Sequence, residues 1–131
     1  MQNRYTGLVA ACLGMVFLLV ACARLQPQIT VDSGLTSTIS IQARSFNFEP
    51  NNLRAYQGDT LVFKITNTSK TVHNFTIKDP HGEIIQSIAL PSEKTITLRM
   101  ALRIPGIYEF YCDKPFHPTM GMKGQVQVVP R

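Results

Sequence analysis

From residue 38 to the C-terminus, apolar residues recur at alternate positions in short runs, and turn-forming residues interrupt those runs at close, regular intervals. Residues 38–43, 60–66, 94–100 and 124–128 alternate polar with apolar side chains, the period that gives a β-strand one dry face and one wet face. Residues 48–56, 72–77, 84–89 and 106–111 are shorter runs rich in β-branched or aromatic side chains. Between them stand Glu49-Pro50-Asn51-Asn52, Gln57-Gly58-Asp59, Asn67-Thr68-Ser69, Asp79-Pro80-His81-Gly82, Pro91-Ser92 and Pro105-Gly106, whose Gly, Pro, Asn and Asp residues favour turns. No stretch combines a capping residue with a 3.6-residue apolar period. Seven to eight short strands predict an all-β fold, an antiparallel β-sandwich. Its inner faces are expected from Phe46, Phe48, Leu53, Leu61, Phe63, Ile65, Phe75, Ile77, Ile96, Leu98, Tyr108, Phe110, Val126 and Val128.

The N-terminus reads differently. Residues 1–4 carry one positive charge, and residues 7–23 hold no polar side chain except cysteine. A charged start followed by a short apolar core and small residues describes a secretory signal. Its end, Leu19-Val20-Ala21-Cys22, resembles the lipobox of bacterial lipoproteins. That resemblance implies cleavage before Cys22 and lipid attachment at its thiol and new amino group. The competing reading is a transmembrane helix, for which an uncharged run of 19 residues at positions 5–23 is only just long enough. Both readings place the rest of the chain outside the cytoplasm, on the membrane, periplasmic or at the outer cell surface. Residues 1–21 are thus assigned to the signal peptide, 22–36 to a lipidated tether, and 37–131 to the folded domain. A tether of that length reaches about 50 Å fully extended and about 20 Å as a coil.

Removal of 21 residues takes the chain from 131 to 110 and the formal charge from +5 to +4. No Lys/Arg cluster accompanies that charge, which argues against nucleic acid as a partner. The three cysteines divide into Cys12, lost with the signal, Cys22, the anchor, and a single remaining thiol, Cys112. A lone exported thiol requires an explanation, because thiols in oxidising compartments are ordinarily paired.

Cys112, His117, Met120 and Met122 fall within eleven residues, and His73 opens an upstream strand. Taken singly, Cys112 reads as a small buried hydrophobe and His73 as a surface or core histidine. Together, a thiolate, two imidazoles and a thioether form the donor set of a blue-copper electron-transfer site. Soft sulfur suits Cu(I) and imidazole suits Cu(II), so a rigid site of intermediate geometry lets copper change charge with little ligand movement. The Cys112–His117 pair could be mistaken for a thiol-protease dyad, but both lie in one loop. His81 fits the third position of a type I turn and is given no role.

The block from Gly106 to Gly124, Gly-x-Tyr-x-Phe-Tyr-Cys-x4-His-x4-Met-x-Gly, resembles the ligand loop of the cupredoxins, the family of plastocyanin, azurin, amicyanin and the auracyanins. His73-Asn74 is similar to its first ligand and adjoining Asn, and residues 48–63 to its opening hairpin. The resemblance implies a Greek-key sandwich holding one mononuclear copper, with His73, Cys112 and His117 as strong ligands and Met122 as the weak axial one. Asn74 is implied to hold the Cys-bearing loop to the first-ligand loop. Met120 is the alternative axial ligand; the x4 spacing favours Met122. A further departure is Phe116, where loops of this type commonly carry Gly before the second histidine. Either the backbone differs there or a ring covers the site.

The function expected is a non-enzymatic one-electron carrier. Redox proteins would dock near His117 through an apolar collar of Pro115, Phe116, Pro118 and Met120. Copper delivery or detoxification is the alternative, and zinc could occupy the same ligands. A binuclear copper centre is disfavoured because no second cysteine follows Cys112.

Overall fold

A computed structural model describes residues 28–30 and 36–131. The lipobox, Cys22 and the cleavage position lie outside the described residues. The strands are β1 (Ile29–Thr30), β2 (Thr36–Arg44), β3 (Asn47–Glu49), β4 (Asn52–Tyr56), β5 (Thr60–Asn67), β6 (His73–Lys78), β7 (Ile84–Leu90), β8 (Thr95–Ala101), β9 (Gly106–Tyr111) and β10 (Lys123–Val129). They form a six-stranded sheet in the order β1-β4-β10-β9-β6-β7 and a four-stranded sheet in the order β3-β2-β5-β8. The all-β sandwich expected from the alternation is the architecture found.

Two details differ. Ten strands are present among the described residues, because residues 48–56 divide at Pro50-Asn51 into β3 and β4, and because β1 falls within the segment read as tether. The sheets are mixed rather than antiparallel: β4 runs parallel to β1 and β10, and β2 parallel to β5. Parallel neighbours require a crossover, and here the chain crosses between sheets. Alternation reports which face of a strand is dry and is silent on strand direction.

Burial follows the two-residue period closely. In β2 it is Ile39, Ile41 and Ala43 that turn inward. β6 is buried on both faces: strand geometry puts His73, Phe75 and Ile77 on one side and Asn74 and Thr76 on the other. The inward series of β9, Tyr108 and Phe110, continues past the strand end to Cys112; that of β10, Val128 and Val126, continues back to Met122. Three of the expected site residues therefore extend the core's own alternation at one end of the sandwich.

Beneath them Phe48, Phe63, Phe75 and Phe110 pack with ring centroids 5.0–5.8 Å apart, within the range of favourable aromatic pairs. Gly124 makes room for this cluster, since a Cβ there would stand 2.4 Å from both the Phe110 ring and the Asn51 carbonyl oxygen. Most of the expected core residues are buried, while Ile96 and Leu98 are half-buried. Phe46 is the exception at 37% exposed. It sits with Ser45 in the two-residue turn joining β2 to β3, at φ 62°, which removes it from the inward register. At the far end the buried carboxylate of Asp59 pairs with Arg131 and accepts the Tyr56 backbone N–H.

Candidate metal centre

His73, Cys112 and His117 bring one donor atom each to a common point. Nδ1 of His73 and Nδ1 of His117 are 3.2 Å apart, and Cys112 Sγ lies 3.9 Å from the first and 3.3 Å from the second. A point equidistant from all three is roughly 2 Å from each, close to the bonds of about 2.0–2.3 Å that a first-row ion such as zinc makes to imidazole nitrogen and thiolate. The triangle thus fits a single ion. Two nitrogens and one thiolate favour copper over the oxygen-seeking cations.

Each vertex is held by a different device. His73 is 1% exposed at the head of β6. Its Nε2 lies 2.9 Å from the hydroxyl of Ser69, in the turn before β6. Burial, then the nearby charges of His117 and Lys114, hold its pKa below the ordinary imidazole value. Cys112 is fully buried at the end of β9. Its N–H donates to the Met122 carbonyl at 3.0 Å, and the Met122 N–H donates to the His117 carbonyl at 2.9 Å. These bonds close the neck of the loop and tie Met122, itself fully buried, to both neighbouring ligand residues. Inside the loop, the N–H groups of His117, Met120 and Gly121 donate to the carbonyls of Lys114, Phe116 and Pro118. The loop is therefore a series of self-bonded turns.

Asn74 and Thr76, on the outer face of β6, grip the same loop. Asn74 Oδ1 accepts the Asp113 N–H at 2.8 Å; its amide donates to Thr76 Oγ1 at 3.3 Å, which in turn donates to Asp113 Oδ2 at 3.3 Å. Ser87 Oγ from β7 lies 2.8 Å from the Thr76 hydroxyl.

The unusual Phe116 has φ 68°, the left-handed region where Gly is at ease. The loop takes this conformation without a glycine. The ring does not cover the site but points outward, 78% exposed. Met120 is also exposed, at 57%. It is Phe46 that lies against His117, edge to face with centroids 5.0 Å apart. Sequence reasoning missed both Phe46 and Ser69 here. Phe46 has the look of a core residue, and Ser69 is one polar residue in a turn-forming run.

A sandwich capped at one end by two imidazoles, a thiolate and a buried thioether defines the class of mononuclear copper proteins with a type 1 site. Residues 10–128 match the Cupredoxin-like domain, and the chain belongs to that family. It is similar to plastocyanin of Vicia faba, 35% identical over 89 residues that cover 62% of this chain and 86% of the relative. Cytochrome c oxidase subunit 2 of Thermus thermophilus is 32% identical over 77 residues, covering 59% of this chain and 53% of that protein. In fold, reduced auracyanin from Roseiflexus castenholzii superposes with TM-score 0.62 and 23% identity, over 71% of this chain and 97% of that one. The site of this family binds one copper.

Proposed function

We propose that the protein is a one-electron carrier, anchored by lipid at Cys22 outside the cytoplasm, that passes electrons between redox proteins docking near His117. The observation supporting this reading is the donor triangle, assembled at bonding distance by hydrogen bonds within the protein. Bound there, copper supplies a centre that alternates between two oxidation states. His73, Cys112 and His117 would hold it, with the buried Met122 as a weaker fourth ligand. Because strand ends and a self-bonded loop fix the ligands, little reorganisation accompanies a change of charge. Phe46, Phe116 and Met120 expose apolar surface beside or on the same loop as His117, suited to brief docking with small buried area. Four protein ligands leave no open position for a substrate, in contrast to catalytic metal sites.

The test is loading of residues 23–131 with Cu(II), followed by optical and paramagnetic spectroscopy. An intense thiolate-to-copper band that disappears in Cys112→Ser, with rapid reversible reduction, is the expected result. Absence of the band, or its survival in Cys112→Ser, would overturn the reading. The exposed thioether of Met120 favours a second reading, transfer of copper itself. That reading requires ready release of the metal to an acceptor and does not need redox cycling.

A further inference from the structure

We infer that Ser69 is a positioning residue: its hydroxyl fixes the proton of His73 on Nε2 and leaves the Nδ1 lone pair facing the metal position.

Asn67 is fully buried, and its Nδ2 donates to the carbonyls of Thr71 at 2.8 Å and Leu90 at 2.9 Å. Two carbonyls can only accept, so the amide orientation is settled. Its Oδ1 faces the Ser69 N–H at 3.0 Å and the Ser69 hydroxyl at 2.9 Å. The hydroxyl therefore meets two pure acceptors, Asn67 Oδ1 and the Thr71 carbonyl at 3.0 Å, and also accepts the Thr71 N–H at 3.3 Å; a hydrogen turned to His73 would leave both acceptor oxygens facing it bare, so it goes to one of them. What it turns toward His73 Nε2, 2.9 Å away, is a lone pair. That nitrogen must carry the proton. Nδ1, on the other side of the ring, is then the acceptor atom, 3.2 Å from His117 Nδ1 and 3.9 Å from Cys112 Sγ.

Ser69 is itself fastened, since Ser92 Oγ donates to its carbonyl at 3.0 Å. Metal-binding histidines ordinarily give their second N–H to a carboxylate, a backbone carbonyl or water. A side-chain hydroxyl oriented by a buried amide does the same work here.

The inference rests on His73 as a ligand, so the experiment includes His73→Ala. In the metal-free protein, nitrogen NMR of the His73 ring should show the proton on Nε2. A ring protonated on Nδ1 overturns the inference without any variant being needed. Ser69→Ala should weaken copper binding, measured by chelator competition, about 10–100-fold, the effect typical of losing an outer contact to a ligand. Ser69→Thr, which keeps the hydroxyl, should restore it. Unchanged affinity in Ser69→Ala alongside lost affinity in His73→Ala overturns the role of Ser69 alone. Unchanged affinity in His73→Ala overturns the ligand assignment as well.

Discussion

Asn74 Oδ1 accepts the backbone N–H of Asp113 at 2.8 Å, which fastens the residue after Cys112 to the residue after His73. This bond joins the chain segments carrying two of the ligands, and it does so independently of any metal. In Asn74→Ala a half-buried N–H loses its partner, at a cost of about 1–3 kcal/mol. Asn74→Asp, which retains the acceptor, should lose less. Denaturant unfolding of the metal-free protein measures both.

Met122 is fully buried and Met120 is 57% exposed. If Met122 is the weak fourth ligand proposed above, Met122→Leu should shift the copper spectrum and the reduction potential, because such a ligand tunes the metal. Met120→Leu should leave them in place. A shift produced by Met120→Leu alone would reverse the assignment.

Phe116 holds a left-handed backbone conformation at φ 68°. A non-glycine residue there costs about 1–2 kcal/mol, so Phe116→Gly should stabilise the domain or leave it unchanged. The same substitution removes a largely exposed ring from the proposed docking surface. Electron exchange with protein partners should slow, while exchange with small inorganic oxidants should be unaffected. Thermal unfolding and stopped-flow kinetics separate the two effects.

The Asp59 side chain is 0% exposed, whereas that of its partner Arg131 is 49% exposed. Arg131→Ala strands a buried carboxylate that still accepts the Tyr56 N–H. Because water reaches the arginine side, the loss should be about 1–2 kcal/mol, below the 3–5 typical of a wholly buried pair. The copper spectrum, set at the opposite end of the sandwich, should not change.

Burial, His117 and Lys114 lower the pKa of His73 in the fold. The unfolded chain therefore binds the proton more readily, and folding stability falls as pH drops. For the metal-free protein this contribution is full above the unfolded imidazole value, about 6.5, and is lost as pH falls through the lower folded value. Unfolding midpoints measured from pH 8 down to pH 5 should decline, and His73→Gln should flatten the decline.

Alternation and turn residues made nine of the ten described strands legible, in eight runs because β3 and β4 form a single run in sequence. The ligand loop was equally legible, because Cys112, His117 and Met122 lie close together on one segment whose spacing is itself informative. Parallel pairing was not, since a strand's side-chain pattern is the same read toward either neighbour. Phe46 misled because its apolar character suits the core, and only the positive φ of its turn takes the ring to His117. Ser69 was invisible for a different reason. Its part depends on two hydrogen-bond acceptors, from Asn67 and Thr71, gathered with the His73 ring nitrogen around one hydroxyl, an arrangement that exists only in three dimensions.

The parallel pairing of β1 with β4 sets Ile29 beside Leu53 and Thr30 beside Arg54, while Val126 of β10 lies across from Leu53. Since β10 begins immediately after Met122 and runs away from the ligands, β1 also points away from them. The polypeptide accordingly enters the sandwich from the copper end. The lipid proposed at Cys22 would then be moored six residues before Gln28, a leash of about 20 Å at most. Such a leash would keep the redox end of the molecule close to the bilayer, within the zone swept by membrane-bound electron donors and acceptors.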